Sequence, residues 1–205
     1  MIKQIGFIGD IHGYLGPLEQ VVREARSQVD HLVFLGDYVD RGPKSRDVID
    51  YLINLRNVRG MRTDFVAGDH ETTFLGVLNG GPIAKLLCIG GASTVSSYVP
   101  NPRLDVSRQL RQAVPAAHVD FLSQLKPYVS GDTFFAAHDR KSSAVAGMNA
   151  RGLFGVYGHA PRIGLVPEVG AHEAMIDTGC GTLNDGRLTC FLWPSRDWFQ
   201  VSVRS

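Results

Sequence analysis

Three Gly-Asp dipeptides, Gly9-Asp10, Gly36-Asp37 and Gly68-Asp69, each close a short apolar run in the first third of the chain. The runs Ile2–Ile8, His31–Leu35 and Met61–Ala67 read as strands. Between them, Leu15–Gln28 places Leu15, Leu18, Val22 and Ala25 at helical spacing, and Val48–Leu55 carries a second such pattern after Pro43. The unit strand–Gly-Asp–helix therefore recurs with a period of about thirty residues, the size of a βαβ unit. Strands joined by right-handed helical crossovers are parallel and share one sheet, so their C-terminal ends lie along one edge. Three carboxylates far apart in sequence are thereby expected at one place.

The rest of the chain is less regular. Residues 80–125 hold loop punctuation at Gly80-Gly81-Pro82 and Gly90-Gly91, then helical stretches at Leu104–Val114 and Val119–Leu125 split by Pro115. They suggest a helical cap beside the sheet. From Tyr128 onward short strands follow one another, at Thr133–Ala137, Leu153–Tyr157, Ala174–Ile176, Leu188–Leu192 and Phe199–Val203. Strands without intervening helical patterns suggest a second, more antiparallel sheet. No long linker or low-complexity tract divides the chain, so 1–205 reads as a single domain.

Composition removes several function classes. With 21 basic and 20 acidic side chains the net charge is +1, which lacks the basic footprint of a nucleic-acid binder. No apolar run approaches the roughly 18 residues of a membrane span. The stretch Ile5–Ile8 is cut short by Asp10, unlike a secretory leader. Three cysteines, Cys88, Cys180 and Cys190, show no CxxC spacing, which points to a reducing, cytoplasmic setting. Glycine is abundant, at 23 of 205, and several glycines flank the polar motifs.

Those motifs are Gly9-Asp10-Ile11-His12-Gly13, Gly36-Asp37-Tyr38-Val39-Asp40-Arg41-Gly42, Gly68-Asp69-His70-Glu71, then Ala137-His138 and Gly158-His159. Imidazoles mixed with carboxylates suit manganese, iron or zinc and suit calcium poorly. His31, His118 and His172 fall in no motif and read as structural or surface residues. Glu71 reads as a helix-start carboxylate, and Asp177 as either a support for the site or a turn residue.

In this order the motifs resemble the calcineurin-like metallophosphoesterases, most of all the small bacterial and phage form of the phosphoprotein phosphatase branch. The segments Gly90–Tyr98 and Ile176–Cys180, the latter followed by Gly186-Arg187-Leu188-Thr189, are similar to segments of bacterial members. The resemblance implies an α/β fold, a four-layer α/β/β/α sandwich of two mixed sheets with flanking helices. It implies two divalent metals, manganese first and iron or zinc as alternatives. Asp10 and His12 would hold one metal, Asp37 would bridge, and Asp69, His138 and His159 would hold the other. A hydroxide between the metals would attack phosphorus in line, with no covalent phosphoenzyme. Arg41 would grip the phosphoryl oxygens, and His70, oriented by Asp40, would protonate the leaving oxygen.

Two departures from the family pattern stand out. The family carries asparagine where this chain has Asp69. The second phosphate-binding arginine expected between the two late histidines has no clear counterpart. Arg140 and Arg151 are the candidates there, Arg151 preferred. The expected activity is phosphomonoester hydrolysis, on phosphorylated serine or threonine of proteins or on small phosphoesters. A dinucleoside polyphosphate hydrolase is the alternative. An inactive scaffold of the same fold is the rival from another class. Neither a nucleic-acid nor a membrane partner is expected.

Overall fold

A computed structural model describes residues 4–143, 145, 148 and 151–204. Strands β1 (Gln4–Ile8), β2 (Val29–Phe34) and β3 (Arg62–Phe65) run parallel, as the Gly-Asp repeat requires. Helix α1 (Leu15–Ala25) connects the first pair and α2 (Ser45–Arg56) the second. The start of the first expected strand, residues 2 and 3, lies outside the described residues. Late in the chain β9 (Arg187–Trp193) pairs antiparallel with β1, and β10 (Trp198–Ser202) with β9. The first sheet is thus ordered β10-β9-β1-β2-β3.

The second sheet contains β4 (Val129–Ser130), β5 (Phe134–Ala137), β6 (Phe154–Tyr157), β7 (Glu168–Val169) and β8 (Glu173–Met175), in the order β4-β5-β6-β8-β7. It is mixed rather than mainly antiparallel. β5, β6 and β8 are parallel, and only the outer strands β4 and β7 run against them. Parallel neighbours need crossovers of about a dozen residues or more. Residues 138–153 and 158–172 supply that length without a helical pattern visible in sequence.

Period-two alternation sorts the strand side chains into separate cores. Phe7, Val33 and Phe191 point between the sheets and meet Phe134, Phe154, Val156 and Ile176. Their neighbours Ile8, Leu32, Phe34, Cys190 and Leu192 face the helices. Phe7 meets Phe134 edge to face at 5.2 Å. Burying a phenylalanine this fully stabilises by roughly 1.5–3 kcal/mol, so these contacts clamp sheet to sheet. On the far face of the second sheet, Val145 and Met148 pack with Phe135, Tyr157 and Met175.

Helices α3 (Asp69–Leu78), α4 (Ile83–Cys88), α5 (Ala92–Tyr98), α6 (Val106–Ala113) and α7 (Ala116–Ser123) pack with α2 beside the first sheet. The first three carry no strong helical pattern. In α3, Thr72, Thr73 and Gly76 weaken the local propensity, and burial of His70, Glu71, Phe74 and Val77 overrides it.

Candidate metal centre

The C-terminal ends of the parallel strands of both sheets converge, and the motif residues sit on the loops just beyond them. Asp10 follows β1. Its Oδ1 accepts the His159 backbone N–H at 3.0 Å, while its Oδ2 is buried without a hydrogen-bond partner. Burial, reinforced by the neighbouring Asp177 charge, pushes the Asp10 carboxyl well above the usual range. Gly158 makes this approach possible, because a Cβ there would overlap Asp10 Oδ2.

His12 is buried and donates from Nδ1 to the Val39 carbonyl at 3.0 Å. That bond fixes the tautomer and leaves Nε2 as the free lone pair. Burial, then the Arg41 charge, keeps this imidazole neutral. Asp37 has one oxygen for each half of the cluster. Its Oδ2 lies 3.5 Å from His12 Nε2 and 3.8 Å from His70 Nε2, and its Oδ1 lies 3.3 Å from His138 Nε2. Asp69 opens α3, and its half-exposed Oδ1 stands 3.0 Å from His138 Nε2 and 3.2 Å from His159 Nδ1. His138 donates from Nδ1 to the Leu35 carbonyl at 2.9 Å and so also presents Nε2. Burial works against its charge, but Asp37 and Asp69 outweigh it and push the imidazole up to about 10.

Donor atoms of Asp37, Asp69, His138 and His159 lie within 4.8 Å of one another, as do those of His12, Asp37 and His70. Asp10 belongs to neither group by distance, yet its unpaired buried oxygen is the feature a cation would relieve. Leaving such an atom unsatisfied costs about 1–3 kcal/mol or more. The donor set therefore fits a pair of borderline divalent cations.

Next to the cluster, His70 Nδ1 is 2.7 Å from Oδ2 of the fully buried Asp40. Burial opposes protonation of His70, but the Asp40 bond and the Asp37 and Asp40 charges raise it above the ordinary imidazole value. Asp40 is itself held by Thr94, whose hydroxyl donates to Oδ1 at 2.5 Å, and its backbone N–H reaches Ser45 Oγ and Thr94 Oγ1. Arg41 extends its guanidinium to His12 Nε2 at 2.6 Å, His70 Nε2 at 3.2 Å and Thr182 Oγ1 at 2.5 Å.

Glu71 does more than start a helix. Its carboxylate accepts backbone N–H groups of Asp37, Tyr38, Val39 and Gly68 at 2.7–3.2 Å, tying the β2–α2 loop to the start of α3. Of the two roles left open for Asp177, after β8, the turn role has a contact: its Oδ1 accepts Gly179 N–H at 2.9 Å. Burial, with the Asp37 charge, pushes its carboxyl up to about 6. His31 bonds Asp64, and His118 bonds Asp50 and Tyr98, so both buried imidazoles have structural partners.

Of the two arginines expected to complete the phosphate grip, Arg140 pairs with Glu173 at 2.9 Å and lines the same cleft as His159, and exposed Arg151 lies against Met148. The interval between two histidines does not specify which way its side chains turn. Thr94 and Thr182 were not singled out by sequence. Both lie in the segments that carry the family likeness or directly beside one, which is the only local signal they offer.

Residues 3–161 match the family model of calcineurin-like phosphoesterases. The catalytic subunit of serine/threonine-protein phosphatase 6 from Drosophila melanogaster is 41% identical over 66 residues, 31% of this chain and 22% of that one. The chain spans 28% or less of the lengths of the first curated relatives it matches. A bis(5'-nucleosyl)-tetraphosphatase, PrpE, of the asymmetrical type from Oceanobacillus iheyensis is 24% identical over 98% of this chain and 93% of its own. Among solved structures, a cold-active protein tyrosine phosphatase mutant superposes with a TM-score of 0.67 at 13% identity, covering 99% of this chain and 78% of the other. That likeness shows a shared fold. With the family model matching well over half of its length, the chain belongs to the calcineurin-like phosphoesterase family.

Proposed function

We propose that this phosphoesterase hydrolyses phosphomonoesters, with phosphorylated serine and threonine of proteins as its main substrates and small phosphoesters as further ones. Asp10, His12 and Asp37 would hold one divalent cation, and Asp37, Asp69, His138 and His159 the other, manganese being the first choice. When bound, such a pair lowers the pKa of water and offsets charge on the phosphoryl group. Arg41 binds the phosphoryl oxygens, to which its planar fork is matched. His70 gives the leaving oxygen its proton from Nε2, because Nδ1 is committed to Asp40. Asp40 favours the charged imidazolium and holds the ring plane, and Thr94 holds Asp40. The free thiols of Cys88, Cys180 and Cys190 favour a reducing compartment, the cytoplasm.

One observation carries this reading: the buried Asp40–His70 pair, 2.7 Å apart, at the edge of the cluster. A serine or threonine alkoxide is a poor leaving group and needs a proton in the transition state. A nucleotide polyphosphate leaves readily without one. A second reading, hydrolysis of dinucleoside tetraphosphates, is favoured by the nearly full-length match to the Oceanobacillus protein.

The test strips metal by chelation, restores manganese, and compares a phosphoserine peptide, para-nitrophenyl phosphate and diadenosine tetraphosphate. Manganese-dependent release of phosphate from the peptide is expected. His70→Asn should slow peptide hydrolysis about 100-fold or more, and para-nitrophenyl phosphate much less. Turnover confined to the tetraphosphate would establish the second reading. No metal-dependent turnover on any of the three would leave a scaffold that kept only the fold.

A further inference from the structure

Arg41 is held in this structure by three side chains, one of which, His12, is needed by the proposed cation site. Its NH1 donates to His12 Nε2 and to Thr182 Oγ1, and its NH2 to His70 Nε2. A neutral imidazole nitrogen has a single lone pair. His12 Nε2 cannot serve both a cation and a guanidinium, and the contact to His70 Nε2 is the longest of the three at 3.2 Å. The contact to the Thr182 hydroxyl is the shortest, and no proposed cation competes for it.

Resting on the reading of Arg41 as the phosphoryl-binding group, we propose that Thr182 is its positioning residue. The hydroxyl keeps the guanidinium turned over the cluster once the His12 imidazole is occupied. Thr182 is well placed for this because its loop is fastened to the His12 segment independently of any ligand. The Thr182 N–H bonds the Gly179 carbonyl at 2.9 Å, and Gly179 N–H is held by Asp177. Cys180 Sγ donates to the Ile11 carbonyl at 3.3 Å. Gly181 stands at φ 71°, so close to His12 that a Cβ would meet His12 Cβ at 2.6 Å. At the other end, the Arg41 backbone is fixed by its N–H to the Gly90 carbonyl at 3.1 Å. Between these fixed points, Thr182 offers the long side chain a hydrogen bond that does not draw on the proposed cation ligands. Substrate does not touch Thr182 in this scheme; it touches the arginine that Thr182 aims.

The experiment measures inorganic phosphate binding to the manganese-loaded protein by calorimetry, a readout that needs no turnover. Manganese affinity, thermal midpoint, and KM and kcat for para-nitrophenyl phosphate are followed alongside. Thr182→Val should weaken phosphate binding about three- to tenfold, the effect of one solvent-accessible hydrogen bond to a charged group. KM should rise by the same factor, with manganese affinity and midpoint unchanged. Thr182→Ser should restore binding to within about twofold of the parent. Thr182→Ala, free of the branched methyl pair, should match Thr182→Val. Unchanged phosphate affinity in both Val and Ala variants overturns the proposal, as does a Ser variant no better than Val. Parallel loss of manganese affinity also overturns it, by showing that the loop merely supports His12. Arg41→Ala separates the two layers. If it too leaves phosphate affinity unchanged, the phosphoryl-binding role of Arg41 falls with the proposal. If it weakens binding while Thr182→Val does not, only the Thr182 assignment falls.

Discussion

Asp69→Asn restores the residue usual in the family and removes one negative charge from the candidate site. Asp69 Oδ1 lies 3.0 Å from His138 Nε2 and 3.2 Å from His159 Nδ1, so an asparagine oxygen can take the same place. The hydrogen bond from His138 holds the carboxyl well below its ordinary range, so Asp69 is charged at every working pH. Two divalent cations against the carboxylates of Asp10, Asp37 and Asp69 leave one net positive charge; with asparagine they leave two. For a phosphoryl group held by the same cations, a separation on the order of 6 Å from this carboxylate is taken for the Coulomb argument. Between bulk water and the screening of a protein surface, that repulsion is roughly 1–2 kcal/mol per charge, discounted because Asp69 is half exposed. Removing it should raise kcat/KM for para-nitrophenyl phosphate about tenfold at pH 7 and saturating manganese. The same change weakens the hold on the cation, so half-maximal activation should need about ten times more manganese. The assay is a manganese titration of initial rates for both proteins. Turnover in the asparagine variant equal to or below the parent, at metal levels that saturate both, would refute the charge argument.

Metal-free protein should lose stability as pH rises from 6.5 toward 10. His138 is raised from 6.5 to about 10, so the stabilisation it provides is complete below 6.5 and gone above its folded value. Urea midpoints of chelator-treated protein across this range check it, and a flat profile refutes it. Asp64 is buried and bonded to Lys126 at 2.5 Å and His31 at 2.8 Å. Burial pushes its carboxyl up, but these bonds outweigh it and leave it below 3.8. Asp64→Asn should therefore cost about 1–3 kcal/mol at pH 7, shrinking as pH falls below that value. A constant penalty between pH 7 and pH 3 would count against it. Glu71→Gln turns an amide NH2 toward backbone donors that need acceptors, and should cost about 2–4 kcal/mol in chemical denaturation. A change under about 0.5 kcal/mol would show that the loop does not depend on this carboxylate.

The convergence of Asp10, Asp37 and Asp69 was legible because it follows from local repetition plus one handedness rule. His138 and His159 were legible only through the family pattern, since the short strands before them give no sign of direction. The second sheet is mixed, as the resemblance implies, whereas strand succession alone suggests a more antiparallel one: its crossovers are long but irregular, and irregular chain leaves no periodic trace. Glu71 shows the limit differently. Its place three residues after Gly68 marks a helix start, yet its bonds to Asp37, Tyr38 and Val39 span more than thirty residues. Thr94 reaches Asp40 across 54 positions and Thr182 reaches Arg41 across 141. Such partners are set by how loops return over the sheet edge, not by any pattern near either residue. Where Arg140 and Arg151 point is not legible from the interval, since their contacts with Glu173 and Met148 depend on how that segment folds.

The backbone of the site is conformationally costly in a way that argues for preorganisation. Asp10, His12, Asp37, Asp40, Arg41 and His159 all have φ between 47° and 70°. Left-handed conformations of residues other than glycine cost roughly 1 kcal/mol or more each and persist only where surroundings enforce them. Here the enforcement is a lacing of one loop to the next. His12 N–H bonds the Asp37 carbonyl, Gly13 N–H the Tyr38 carbonyl, and Gly42 N–H returns to the His12 carbonyl, each at 2.8–2.9 Å. Glu71 then binds three consecutive N–H groups of the second loop. These bonds run between backbone groups or to Glu71, so the loops that carry His12, Asp37 and His70 are laced together by groups outside the donor set. Among the described residues of these loops, Asp10 Oδ2 is the buried side-chain oxygen left without a partner. The cost of the left-handed residues is therefore met by this lacing and by the packed core beneath it.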